Sequence, residues 1–458
     1  MITQQQIANK KIKENGTATD SDIIKELIEE HNVTSMIEGQ EYYENEPKIR
    51  DRQRYYWDRG NRKVDPTKPN NKMAHNWHKL LVDQKVGYLL GKPISVNAEP
   101  DSYAEKINDM LTDDFHDELQ ETGKEAANKG VAYWHPYIDK NGEFSYVLIP
   151  SEQLILIYDN HLQQNKTDAI RYYNITFNGE KRIKAEWWTP KQVTYYMEDA
   201  NGDFVLDPTE DENPASHFYY RDKGYGWERV PFIVFKNNEE QNSDLTFYKE
   251  LIDVYDKVNS DVANDLEEIQ QAVTVLKGYE GTDLSEFMRN LRYYKVIKTS
   301  EDGDVDSLEN EIPINSIDSF LDRLEENIIT FGQGVNPKTD KFGQSPSGIA
   351  LKFLYHLLDL KANITARKFR KSLQEFFWFV TEFYDIKGEK QNDWEVSNIE
   401  VTFNKSMLIN DKEMSEIAQQ SKGIIPDENI LAHHPWIEDP QKAKEKMEEE
   451  RSAYLGDE

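Results

Sequence analysis

The side chains with the greatest capacity for chemistry in this chain of 458 residues are carboxylates: 85 Asp and Glu stand against 55 Lys and Arg, and there is no cysteine. Disulfides, thiolate zinc sites and cysteine nucleophiles are therefore excluded. Gly87, Gly91 and Lys92 imitate a phosphate-binding loop, but the spacing is one residue short, no Ser or Thr follows Lys92, and the segment falls at a helix end instead of after a strand. Gly332 and Gly334 do not extend into a dinucleotide fingerprint, because Asn336 and Pro337 occupy the following turn. His75 and His78, three apart on an expected helix, lack a carboxylate at ligand spacing, and His433 and His434 before Pro435 cannot easily aim both rings at one ion. Asp302, Asp304 and Asp306 miss the ligand set of a calcium loop. Asp261 and Asp265 read as solvated like charges on a helix, since an acid–base pair needs a concave site and divergent pKa values. No catalytic residue, metal or cofactor is expected. Lys338 and Lys341, on a glycine-rich loop that also holds Asp340, could reach a polyanion.

The net charge of −30 bears on partners, because a surface this acidic repels DNA and anionic membranes. Any DNA contact must be local or must exploit repulsion. Hydrophobic residues at 37% and aromatics at 12% are enough for substantial cores. The length suggests about three domains' worth of chain. The opening MITQQQIANKKIKENG has no long apolar segment, and no later stretch approaches the roughly 18 apolar residues of a membrane span, so cytoplasmic synthesis is the expectation.

The elements that must position these residues follow from periodicity. Residues 21–58 read as one or two amphipathic helices broken at Gly60-Asn61, with Tyr55, Tyr56 and Trp57 at their end. A helix follows, capped by Asn70 or Asn71 and ended by Gly91-Lys92-Pro93, and a third covers roughly 102–129 and stops at Gly130. From 131 to 236 short β-rich runs alternate with turns, and Asn-Gly pairs at Asn141, Asn178 and Asn201 signal hairpins of an antiparallel sheet. Residues 244–271 form the clearest amphipathic helix, with Leu251, Tyr255, Val258, Val262 and Leu266 on an apolar stripe. An α/β insertion with the acidic turn SEDGDVD follows, then a second helix over 315–331 carrying Leu321 and Leu324. After the Gly/Pro loop, Ser345 caps a helix running to about 384, on the order of 58 Å at roughly 1.5 Å per residue. A short strand at 401–403 precedes a charged tail.

NNKMAHNWHKLLVDQKVGYLLGKP at 70–93 and VPFIVFKNNEEQNSDLTFYKELIDVYDKVNSDVANDLEEIQ at 230–270 resemble the corresponding segments of tailed-bacteriophage portal proteins of the long-tailed, Gram-positive phage type. The order of elements extends that resemblance over roughly residues 40–400. It implies an α+β portal fold of wing, stem, clip and crown, assembled as a cyclic ring, usually of twelve subunits, with a central channel. The wing would be 1–243 with 346–404, the stem helices 244–271 and 315–331, the clip 272–314, the tunnel loop 332–345 and the crown 405–458.

The resemblance further implies a structural protein of the virion at one capsid vertex, with no enzymatic activity of its own. Its partners would be further copies of itself, double-stranded DNA passing without sequence recognition, the terminase large subunit, a head-completion adaptor, and capsid and scaffolding proteins, with no membrane. The channel loop would present Gly332, Gly334, Lys338, Lys341 and Gly343 to DNA, and Asp261 and Asp265 would line the channel. Leu251, Val258, Val262, Leu266, Leu321 and Leu324 would pack subunits together. Two alternatives remain open at this point: a nonportal ring adaptor or scaffold, and a soluble hydrolase with a carboxylate site in the β-rich region.

Overall fold

The computed structural model describes residues 19–66, 68–159, 161–162, 165–221, 223–269, 273–277, 304–308, 313–336, 348–406 and parts of 416–447. Helices α1 (Asp20–Glu30) and α2 (Thr34–Tyr43) lead to the hairpin β1 (Tyr55–Asp58) and β2 (Asn61–Val64). Helix α3 (Trp77–Leu90), strand β3 (Ser95–Asn97), and helices α4 (Asp101–Asn108) and α5 (Asp113–Lys129) follow. Eleven strands come next: β4 (Val131–Ile138), β5 (Phe144–Ile149), β6 (Leu154–Tyr158), β7 (Lys166–Phe177), β8 (Glu180–Trp188), β9 (Gln192–Glu198), β10 (Phe204–Leu206), β11 (Ala215–Ser216), β12 (Phe218–Tyr220), β13 (Lys223–Tyr225) and β14 (Ile233–Lys236). Helix α6 (Lys249–Ile269), strands β15 (Val273–Lys277) and β16 (Asp304–Leu308), helices α7 (Ile314–Phe331) and α8 (Gly348–Lys387), and strand β17 (Glu400–Thr402) complete the described elements. The fold is α+β, and the chain divides into two compact units, one of residues 1–40, 80–246 and 329–458 and one of residues 41–79 and 247–328.

In the first unit, strands run β10-β9-β8-β7-β6 with β11 added to β9, and a second sheet runs β14-β4-β5. All pairings in these two sheets are antiparallel, and all join chain neighbours except β14 with β4 and β11 with β9, so most registers are set by local turns. Asn178 (φ 50°) and Gly179 (φ 82°) make the two-residue turn that pairs Phe177 with Glu180. The other two Asn-Gly turns share one chemistry: the Oδ1 atoms of Asp139 and Asp199 accept the backbone N–H groups two and four residues on. Those bonds hold both carboxyls below the usual range.

Ile24 and Leu27 of α1 pack on Ile155, Ile170, Ala185 and Tyr196 of the larger sheet. Helix α8 lies on β14, where Phe369 and Phe235 are 5.1 Å apart and Trp134 stands 4.6 Å from Phe235. The Trp134 indole N–H is satisfied by Thr122 Oγ1 at 2.6 Å. Helix α8 spans 40 residues, in keeping with the long helix expected from the absence of internal breakers.

Four sequence expectations need correction. Tyr55–Trp57 belong to a strand, because Arg59 (φ 47°) and Gly60 (φ 84°) turn the chain back between Asp58 and Asn61. The helix expected over 102–129 is two helices, with Thr112 capping the second through a bond from the Phe115 N–H. Helix α3 begins at Trp77, so neither Asn70 nor Asn71 caps it and His75 precedes it. Asp304–Asp306, read as part of an acidic turn, lie in β16 and pair with β15. The stops at Gly130 and after Leu90 and the strand near 401 fall as expected, β17 pairing with β3. The helical LSEFMRNL and the YYKVIKT strand fall outside the described residues, as does the Ser345 cap.

Candidate functional site

In the second unit, helix α6 inverts the usual placing of polar and apolar faces. Asp256, Ser260 and Asn264, four residues apart and therefore stacked along one face, are each 0% exposed. Residues 71–75, which form neither helix nor strand, cover them. The backbone N–H of Asn71 donates to Asn264 Oδ1 at 2.7 Å, that of Met73 to Ser260 Oγ at 2.9 Å, and that of His75 to Asp256 Oδ1 at 3.1 Å. The steps match, since two extended residues advance about 6.6 Å and four helical residues about 6 Å. A strap so placed has its buried N–H groups satisfied by side chains instead of by a neighbouring strand.

Both ends of the ladder are reinforced. The His75 ring meets Asp256 through Nδ1 at 2.8 Å, and the Asn71 amide donates to Glu267 at 3.0 Å. Burial pushes the Asp256 carboxyl above its ordinary range, against the downward pull of the two His75 contacts. His78 makes its own bond, Nδ1 to the Tyr248 hydroxyl at 2.7 Å, so the two histidines serve separate helix contacts. The opposite face of α6 holds the apolar stripe, which stays open: Leu251, Val258 and Val262 are half-buried, while Val254 and Leu266 are exposed at 40% and 49%.

Asp261 is not a bare charge. Arg52 donates to it and Arg54 lies 4.0 Å from it, with Arg54 also 4.0 Å from Glu268. Two guanidinium groups thus offset two carboxylates, whereas Asp265 is exposed on the helix. Helix α7 adds an acidic row not singled out from sequence, Asp318, Asp322 and Glu326, exposed at four-residue steps. On the same helix Leu324 is buried and Leu321 half-buried.

In the first unit, the chain leaving α7 is held at its root. Gly332 and Gly334 are buried. The Gly332 carbonyl accepts from Lys361 Nζ at 2.9 Å, and the Gln84 amide both donates to the Val335 carbonyl and accepts from the Val335 N–H at 2.9 Å. A Cβ at Gly334 would stand 2.3 Å from Leu81 Cδ2 and 2.8 Å from Gln84 Oε1, so any larger residue there must push those side chains aside. Lys338, Lys341 and Gly343 fall outside the described residues.

Behind the root lies a shielded charge cluster. Asp244 takes Lys361 at 2.9 Å, Lys85 at 3.2 Å and the Asn237 amide at 2.9 Å, and Lys85 also donates to Asn237. Burial alone would raise the Asp244 carboxyl, but the two ammonium groups outweigh it and hold the group well below the carboxylate range. Burial brings Lys85 down to about 8 despite Asp244. Sequence reasoning passed over these groups, and only the four-residue spacing of Asp256, Ser260 and Asn264 was a readable sign. His433 and His434 lie outside the described residues, and no helix among the described residues is long and apolar enough to cross a membrane.

One unit that holds helices α6 and α7, another built on antiparallel sheets, and a tethered loop root between α7 and α8 define a structural class, and comparison with known proteins gives it a family. Residues 24–456 match the family described as phage portal protein, SPP1 Gp6-like, and the chain belongs to it. It is 41% identical over 442 residues to the portal protein of Bacillus phage SPP1, covering 95% of this chain and 87% of that one. It is 32% identical over 412 residues to the portal protein of Clostridium phage phiCD119, covering 85% of this chain and 87% of that one. The resemblance drawn from the 70–93 and 230–270 segments is therefore correct, and 70–75 proves to include the strap on α6.

Proposed function

We propose that the chain closes into a ring of about twelve copies whose axial channel, at one vertex of the capsid, conducts double-stranded DNA without reading its sequence. In this reading residues 1–243 and 346–404 form the wing, 244–271 and 315–331 the stem, 272–314 the clip, 332–345 the tunnel loop and 405–458 the crown. The observation that carries the proposal is the inverted α6: its polar face is consumed by the strap of its own chain, while Val254 and Leu266 on the apolar face stay exposed. Closing neighbours on such a stripe gains roughly 25 cal/mol per Å² of apolar surface before association costs. Phe353, Leu357, Leu360 and Ile364, exposed at three and four residue steps on α8, offer a second stripe.

Acidic rows facing the axis keep a duplex from sticking, and strong binding would obstruct its passage. Asp265 suits that role, with Asp261 contributing less because of its arginine partners. The chain carries out no catalytic step in this account. The terminase large subunit supplies the motor and docks on the clip, which later receives the head-completion adaptor. Capsid and scaffolding proteins meet the wing, and the assembled protein resides in the virion.

Electron microscopy of the purified particle without imposed symmetry tests the ring: the expected image is a closed ring with α6 and α7 around a duplex-wide hole. A solitary chain, or a ring whose helices leave no passage, would falsify it. Lys338→Gln combined with Lys341→Gln is expected to leave ring formation intact and to alter DNA packaging or retention. Unchanged packaging and retention would remove those charges from the mechanism.

A further inference from the structure

The hairpin Tyr55–Asp58 and Asn61–Val64 is exposed on both faces, with Trp57 at 73% and Val64 at 52%. A two-stranded hairpin is at best marginal in water and needs a packed face to hold its shape. This one instead turns its aromatic and charged side chains to solvent. The Arg62 guanidinium lies 3.7 Å over the Tyr55 ring, and Lys63 pairs with Asp58 at 2.7 Å, so both side chains are pre-arranged along the strands. Trp, Tyr and Arg together are the residue types that dominate binding at protein interfaces.

Charge indicates the partner. Between Tyr55 and Val64 three cations, Arg59, Arg62 and Lys63, stand against one carboxylate, Asp58, in a chain whose net charge is −30. We propose that this hairpin docks on an acidic surface of a second copy of the same chain. A ring requires two different, complementary patches on each copy, because head-to-tail contacts join unlike surfaces. The second unit carries both: the cationic aromatic hairpin, and the exposed acidic row of α7, Asp318, Asp322 and Glu326. Acids that do not face the axis are left for a neighbour. Duplex DNA fits the hairpin less well, since its base faces are stacked inside and give the aromatic rings nothing to stack on. The assignment rests on the ring reading and deepens it by naming what one subunit presents to the next.

The test places the photo-crosslinker p-benzoylphenylalanine at position 57 of the full chain, mixes light and nitrogen-15-labelled copies, and irradiates with and without duplex DNA. The expected product has twice the chain mass, contains both isotopes, and maps to peptides within 314–331. A companion variant, Arg59→Glu with Arg62→Glu, is expected to keep its melting midpoint while needing at least about tenfold more protein to assemble. Rings that crosslink only within their own chain, or to the DNA, overturn the hairpin assignment and leave the ring standing, as does unchanged assembly of the charge-reversed variant. Unmodified protein that stays monomeric ends the ring reading and this assignment together.

Discussion

Lys85, Lys361 and Asp244 are shut away from water as two cations against one anion, and that imbalance makes the cost of mutation asymmetric. Asp244→Asn would leave two buried ammonium groups facing each other and is expected to destabilise the chain by about 3–5 kcal/mol. Lys85→Met leaves a one-to-one pair of Asp244 and Lys361 and should cost far less, although Asn237 loses a donor. Urea midpoints of the two variants at one pH decide this; equal losses would show that the cluster does not act through its charge balance. The histidines give a pH dependence. Burial lowers His31, His135 and His217 to about 4, below the ordinary value of 6.5. The unfolded chain binds more protons than the folded one between those values, so stability is full above pH 6.5 and declines as pH falls toward 4. Thermal midpoints between pH 7 and pH 4 should follow that slope, and His135→Gln should flatten it.

Among the elements, the strap and α6 form a pair that neither makes alone. Asp256→Ala removes the acceptor for the His75 N–H and ring, leaving a partly buried donor unpaired at an expected cost of about 1–3 kcal/mol. Hydrogen exchange resolves the mechanism: the amides of Asn71, Met73 and His75 should lose protection together, while those of β7 and β8 keep theirs. Protection lost at His75 alone would show three independent bonds instead of a cooperative ladder. The same pair marks the limit of what the sequence made legible. The existence of α6 and its apolar stripe follow from local spacing, as do the hairpins at Asn141, Asn178 and Asn201. Which face of α6 would be buried does not, because Asp256, Ser260 and Asn264 are covered by a segment more than 180 residues earlier in the chain. Tyr55–Trp57 were misread for a related reason: a short aromatic run suits helix or strand, and the turn at Arg59-Gly60 settles it. Gly332 and Gly334 are assigned to the channel loop by resemblance, yet the described root is fastened by Gln84 and Lys361, which only tertiary structure brings there.

For the whole molecule the question is how chains of net charge −30 approach one another at all. Two forces with different ranges compete. Repulsion between whole chains acts over the Debye length, about 30 Å at 0.01 M salt and about 8 Å at 0.15 M. Apolar stripes act only at contact and are nearly indifferent to such salt. Ring formation should therefore rise steeply from low to physiological ionic strength and then level off, as read by native mass spectrometry. Leu266→Lys separates the two forces. Leu266 is 49% exposed in the single chain, so the change should leave the melting midpoint almost unmoved. In the ring it would remove apolar burial worth up to about 1.5–3 kcal/mol per contact and desolvate an ammonium, raising the assembly concentration by roughly tenfold to a hundredfold. Because this defect arises at contact, added salt should not rescue it, whereas the unmodified protein gains from the same salt. Assembly of the variant that recovers fully in salt would mean that long-range charge alone controls closure and that the α6 stripe is not a subunit interface.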